Sequence, residues 1–221
     1  MKALLIKQAL IQIKQENDKL FYDSYLIIRR SIGILGILLP ILLILGGLVS
    51  PDRSIETSLS AYYHNNLGDV FVLILGAAAL LLIAYRGNKI GVRILTTAGG
   101  IMAMLVILFP TKMDGVPIPY GVFLISPGPS WFLHNIFALS FFIILSVISF
   151  VHFTKHIEGT PDSRIKKNKW YKLFGIIIFI SAILYGVFIL LFPGYPVLIA
   201  ETVGLEAIGA TWLIKGWKKQ E

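Results

Sequence analysis

The sequence predicts an all-α fold, a polytopic membrane bundle of six transmembrane helices with an N-terminal amphipathic helix. Of the 221 residues, 56% are hydrophobic and 14% are charged, whereas soluble domains average roughly 45–50% apolar and about 25% charged residues. Low-charge apolar stretches of about 17 to 25 residues recur along the chain, and each is long enough as a helix to cross a bilayer core. Because these stretches lack the alternation of barrel strands, the spans are predicted to be helices.

Flanking residues mark each predicted span in turn. The first follows the Arg29–Arg30 pair and includes Pro40, which predicts a kink. The second begins at Asp69, which suits the first turn of a helix. Basic residues at 86–93 separate the second span from the third, and those at 155–172 separate the fourth from the fifth. The six spans cover residues 31–49, 69–85, 92–110, 131–153, 173–192 and 196–214.

Positive charges fall in alternate connections between the spans. Basic residues precede the first span, follow the sixth and fill the two connections named above, whereas only Arg53 and Lys112 lie elsewhere. By the positive-inside rule both termini are cytoplasmic. The predicted outer loops lie near residues 50–68, 111–130 and 193–196, and the predicted location is the inner (cell) membrane, crossed several times.

The chain divides into two predicted regions, an amphipathic interfacial helix over residues 1–28 and a six-helix transmembrane domain over residues 29–221. The net charge of +8 is concentrated on the cytoplasmic side, which favours membrane lipids as partners and argues against nucleic acid. The sequence leaves a homo-oligomer open. Apolar residues interleaved with lysines predict the interfacial helix: Leu4, Leu5, Ala9, Ile13 and Leu20.

Polar side chains gather near the predicted outer surface. Asp69 begins the second span, His134 lies about one turn inside the fourth, and Glu201 lies about 7 Å inside the sixth at about 1.5 Å per residue. Ionisable groups are costly in lipid, so His134 and Glu201 are predicted to face the protein interior, with His134, Asn135 or Thr111 as partner of Glu201. The predicted ligand-binding residues are Ser58, Ser60, Tyr62, His64, Asp69, His134 and Glu201.

Three functions are open for this polar layer, and the sequence does not say whether the protein is an enzyme. The first is an outward-facing pocket in the outer leaflet for a lipid headgroup or small amphiphile. The second is a zinc-dependent lipid amide or ester hydrolase, with metal ligands drawn from His64, His134, Asp69 and Glu201 and catalytic residues from the last three. The third is a proton or cation pathway through Glu201 and Glu206, which lie about 140° apart around one helix.

Several motifs resemble those of a family of uncharacterised bacterial multi-span membrane proteins. In chain order they are SLSAYYHNNLGDVFV, AYRG, FPT, LHNIFALSFF and WLIKG. The resemblance implies the six-span topology and assigns no activity. It also draws attention to polar residues within the motifs or near them: Ser58, Ser60, Tyr62, Asp69, His134 and Glu201.

Two broader resemblances concern the same polar layer. A serine-containing outer loop after the first of six helices is similar to the Frag/DRAM/Sfk type, which would imply a role in membrane lipid organisation or in remodelling GPI-like lipids. Ser, Asp and His side chains near one membrane face are similar to those of the alkaline-ceramidase-like hydrolases. Those hydrolases have seven spans and a histidine pair in HxxxH spacing. Here six spans are predicted, and the HxxxH spacing, His152 to His156, lies on the predicted cytoplasmic side, away from the polar layer.

The topology can be tested by cysteine labelling, because the chain has no cysteine of its own. We expect Ser54→Cys and Gly194→Cys to react with an impermeant thiol reagent added to intact cells, since both positions lie in predicted outer loops. Ser163→Cys lies in a predicted cytoplasmic connection and should react only after permeabilisation. Labelling of Ser163→Cys alone would reverse the predicted topology.

Overall fold

A computed structural model describes residues 2–51, 53–87, 89–113, 115, 117–155 and 161–217, with the backbone alone for residues 2–10 and Ser163. Within these ranges the chain forms a bundle of six long helices and no strand. The helices are α1 (Lys2–Val49), α2 (Gly68–Ala84), α3 (Ile90–Leu108), α4 (Pro127–Val147), α5 (Pro161–Leu191) and α6 (Tyr195–Gly216).

The six helices coincide with the six predicted spans and confirm the all-α bundle. Five of them, in the described residues, are long and apolar enough to cross a membrane, and α2 is an apolar helix of 17 residues. This is the pattern of a multi-pass helical membrane protein. The direction of the crossings and the cytoplasmic location of the termini stay predictions.

The N-terminal segment and the first span form one helix. α1 continues without interruption from Lys2 to Val49, whereas the sequence predicts a separate interfacial helix over residues 1–28. The side chains of Ile13 and Leu20 are 55% and 60% exposed, and those of Leu4, Leu5 and Ala9 lie outside the described part of the chain. The membrane-surface location of this segment stays a prediction.

Glycines allow α1 and α6 to pack closely. A Cβ atom added at Gly209 of α6 would lie 2.7 Å from the Gly33 carbonyl oxygen and 3.0 Å from the Ile37 nitrogen, both on α1. Real Cβ atoms do not approach backbone atoms this closely. The helix pair therefore depends on the absence of a side chain at this crossing, as is common between membrane helices.

Two arginines of α1 complete the C-terminal end of α6. The Arg29 Nη1 group donates to the Lys215 carbonyl at 3.1 Å, and the Arg30 Nε group donates to the Gly216 carbonyl at 2.9 Å. The last carbonyls of a helix have no partner within it and carry a partial negative charge. The arginines therefore fix the C-terminal end of α6 against α1.

Serines of α4 bind the backbone of α5. The Ser146 hydroxyl donates to the Gly175 carbonyl at 2.8 Å, and the Ser149 hydroxyl donates to the Tyr171 carbonyl at 3.1 Å. Beyond Val147 the α4 helix widens into a π-helical turn, Ile148–His152, followed by a last α-helical turn, Phe153–Lys155. These bonds hold α4 and α5 together at the end of the bundle opposite the polar layer.

We expect Gly209→Ala to lower the free energy of unfolding by about 1–3 kcal/mol, because the added methyl group forces backbone atoms apart. The matched control is Gly186→Ala on α5, where an added Cβ has no heavy atom within 4 Å. The unfolding midpoint of that variant should equal the wild-type midpoint or lie slightly above it. Unfolding midpoints in mild detergent measure both effects, and equal midpoints for the two variants would contradict the close crossing.

Candidate functional site

The connection between α1 and α2 folds over the predicted outer end of the bundle. It contains a 3-10 helix, Ser60–His64, and residues 57–64 are called the roof below. The Thr57 carbonyl accepts the Leu198 N–H of α6 at 3.2 Å. The Tyr62 hydroxyl is buried and accepts the Glu56 N–H at 3.3 Å, and burial raises the pKa of Tyr62 above its ordinary value. The roof is therefore a packed structure and not a solvated turn.

Glu201 of α6 binds the roof directly. Its side chain is only 5% exposed. Oε2 accepts the Leu59 N–H at 2.5 Å, and Oε1 accepts the Ser60 hydroxyl proton at 3.3 Å. Among the described residues no basic side chain pairs with this carboxylate. Hydrogen bonds from the roof thus replace the counter-ion that a buried carboxylate usually has.

His134 of α4 is buried and has one ring nitrogen without a partner. Its Nδ1 atom lies 2.8 Å from the Phe109 carbonyl oxygen and 3.1 Å from that of Val106. Carbonyl oxygens only accept, so Nδ1 carries the proton. Nε2 is buried and has no hydrogen-bond partner in the described part of the chain. In the neutral ring Nε2 is therefore an acceptor available to a ligand.

A cavity of about 40 Å³ lies inside the bundle, where the roof, α4 and α6 meet. Its polar lining consists of Ser60, His134 and Glu201, and the rest of the wall is apolar, from α1, α2, α3, α4 and α6 with Leu59 of the roof. A water molecule needs roughly 10–15 Å³ on this scale. The cavity thus admits a small functional group, and two buried titratable side chains, His134 and Glu201, belong to its wall.

The structure brings together three of the seven predicted site residues and separates the others. Ser60, His134 and Glu201 line one cavity. Asp69 does not line it, because its side chain is exposed in the first turn of α2. Ser58 lies behind Ser60, with their hydroxyl oxygens 3.3 Å apart.

His64 and Tyr62 stabilise the roof and do not line the cavity. The His64 Nε2–H donates to the Thr111 carbonyl at 2.7 Å, and the ring packs edge-on against Tyr63 and Tyr120. Tyr62 is packed near Gly47 of α1. These two residues join the roof to the connection after α3 and to the end of α1.

The predicted partners of Glu201 are not the ones found. Asn135 accepts the Tyr185 hydroxyl proton, and the Thr111 carbonyl accepts from His64. The hydrogen bonds of Glu201 come from Leu59 and Ser60 of the roof. Glu206 is half-buried on another side of α6 and does not line the cavity. The proton or cation pathway through both glutamates stays a prediction.

The described residues contain no group of three or more His, Asp or Glu side chains placed to hold a metal ion. His64 and His134 each direct one ring nitrogen to a backbone carbonyl. The zinc-hydrolase alternative therefore gains no support from this geometry and stays a prediction.

Fold and site together define a class: a multi-pass helical membrane protein with a mostly apolar cavity near one end of the bundle, lined in part by Ser60, His134 and Glu201. Comparison of the chain with known protein families, with curated proteins and with solved structures finds no match. The resemblances noted from the motifs accordingly stay predictions, and the proposals below depend on the residues of this chain.

We expect Glu201→Leu to destabilise the protein by about 1–3 kcal/mol, because it leaves the buried Leu59 N–H without an acceptor. Glu201→Gln retains a carbonyl oxygen as an acceptor and should therefore lose less stability than Glu201→Leu. Asp69→Asn is the exposed control and should change the free energy of unfolding by less than about 0.5 kcal/mol. Unfolding midpoints in detergent compare the three, and an Asp69→Asn loss as large as that of Glu201→Leu would contradict this assignment.

Proposed function

We propose that this protein binds a small amphiphile, or the polar end of a membrane lipid, in the cavity beneath the roof. The single observation that carries the proposal is the buried His134 Nε2 atom, which has no partner in the described part of the chain and belongs to a cavity-lining ring. A buried polar atom left unsatisfied costs about 1–3 kcal/mol. A ligand that donates a hydrogen bond to Nε2 removes that cost.

The composition of the cavity wall supports an amphiphile. Three polar side chains line the cavity, and apolar side chains such as Phe71, Ala103 and Ala138 form the rest of its wall. A volume of about 40 Å³ accepts the end of such a molecule. A longer molecule enters when the roof moves, which requires separation of Leu59 and Ser60 from Glu201. We place this end of the bundle in the outer leaflet of the inner membrane, following the distribution of basic residues.

We expect protein released from its membrane in mild detergent to retain a small amphiphile in native mass spectrometry. His134→Leu should lose this adduct, because it removes the free acceptor. The matched control is His152→Leu, which changes a histidine in the π-helical turn of α4, outside the cavity. It should retain the adduct.

A second variant separates loss of binding from loss of folding. Ala103→Val fills space at the cavity wall without changing a polar group, so it should also lose the adduct while keeping the wild-type unfolding midpoint within a few degrees. The same adduct mass and occupancy in wild type, His134→Leu and Ala103→Val would refute the proposed site.

A further inference from the structure

Four protons of the roof are directed at Glu201 or at groups that lead to it, those of the Ser58 and Ser60 hydroxyls and of the Leu59 and Ala61 amides. The Ala61 N–H donates to the Ser58 hydroxyl oxygen at 3.0 Å. The Ser60 hydroxyl donates to Glu201, so the Ser58 hydroxyl is the donor in the 3.3 Å contact with Ser60. The Leu59 N–H donates to the other carboxylate oxygen. No hydroxyl proton of Ser58 or Ser60 is left for a ligand.

What the cavity offers to a ligand is acceptors. The His134 Nδ1 proton is directed to the backbone of α3 and of Phe109, and Nε2 presents a lone pair. An ionised carboxylate has about four acceptor positions, and roof residues Leu59 and Ser60 use two of those on Glu201. With Glu201 ionised, the polar side chains of the cavity therefore accept hydrogen bonds and have no free proton to donate.

We infer that the cavity selects a hydrogen-bond donor without negative charge and prefers a protonated primary amine, borne by a short alkyl chain or by a lipid headgroup. This inference rests on the proposed function. An ammonium group offers three N–H donors for Glu201 and His134, and its charge matches a carboxylate that has no basic partner among the described residues. A carboxylate or phosphate ligand would meet only acceptors and like charge.

The same chemistry separates two common zwitterionic headgroups. An ethanolamine headgroup ends in a primary ammonium group with N–H donors, whereas choline ends in a quaternary ammonium group with three methyl groups and no N–H. A cavity of about 40 Å³ has little room for the methyl groups, and its acceptors would stay unsatisfied. Ethanolamine lipid is therefore the lipid source that this site would select.

The test uses the full chain in nanodiscs of phosphatidylcholine, titrated by calorimetry with butylamine, butan-1-ol and butyrate; empty nanodiscs correct for partitioning into lipid. We expect butylamine to bind about tenfold more tightly than butan-1-ol, because charge-assisted hydrogen bonds are about twice as strong as neutral ones. Butyrate should not bind. Glu201→Gln should reduce the preference for the amine to less than about twofold while retaining alcohol binding.

Glu206→Gln is the matched control, because it makes the same chemical change on the same helix outside the cavity. It should keep the wild-type preference. In parallel, native mass spectrometry of protein released from mixed bilayers of ethanolamine and choline lipids shows whether the bound amine comes from a lipid headgroup. Selective retention of ethanolamine lipid assigns the amine to a headgroup, and butylamine binding without such retention assigns it to a free amine; both outcomes support the inference.

Two other outcomes overturn it. Butyrate binding as tight as that of butylamine, or an unchanged amine preference in Glu201→Gln, would contradict selection of a donor and leave the proposed amphiphile site standing. Absence of binding by every probe, together with the absence of any retained amphiphile on the purified protein, would mean that the cavity holds water alone. That result would overturn the proposed function as well.

Discussion

The site depends on one contact, that between the Glu201 carboxylate and the roof. A carboxylate inside a helical bundle is expensive unless its oxygens are bonded, and here an amide proton of Leu59 and the hydroxyl proton of Ser60 bond it. The contact closes the predicted outer end of the bundle above an apolar cavity. It also uses the Leu59 N–H and the Ser60 hydroxyl proton, and the His134 Nε2 atom keeps a lone pair for a ligand.

That contact is useful only if α6 is held in place, and the rest of the bundle does this. The glycine crossing with α1 fixes how closely α6 approaches, and the Arg29 and Arg30 side chains fix its C-terminal end. α4, which carries His134, is bound to α5 by buried serine hydroxyls. The two titratable groups of the cavity thus belong to helices whose positions are also set by contacts outside the cavity lining.

Much of this arrangement could be predicted from the sequence, because the cost of placing charge in lipid is general. This cost predicts that His134 and Glu201 face the interior, and both side chains are buried and line one cavity. Asp69 does not line that cavity, which the sequence could not predict because depth along a span does not tell which way a side chain at the helix start points. The main partner of Glu201 is a backbone amide, which no side-chain pattern reveals. The charge pattern also does not predict that α1 continues through residue 28 as one helix.

The central claim is that His134 accepts a hydrogen bond from a bound amine through Nε2. Solid-state ¹⁵N NMR of histidine-labelled protein in phosphatidylcholine bilayers, with ¹³C-labelled butylamine added, tests it most directly once the His134 signals are assigned from the His134→Leu spectrum. The account predicts a neutral ring with its proton on Nδ1 and a short-range correlation between Nε2 and the amine. A proton on Nε2 of the neutral ring, or a correlation with the lipid chains in place of the amine, would contradict it.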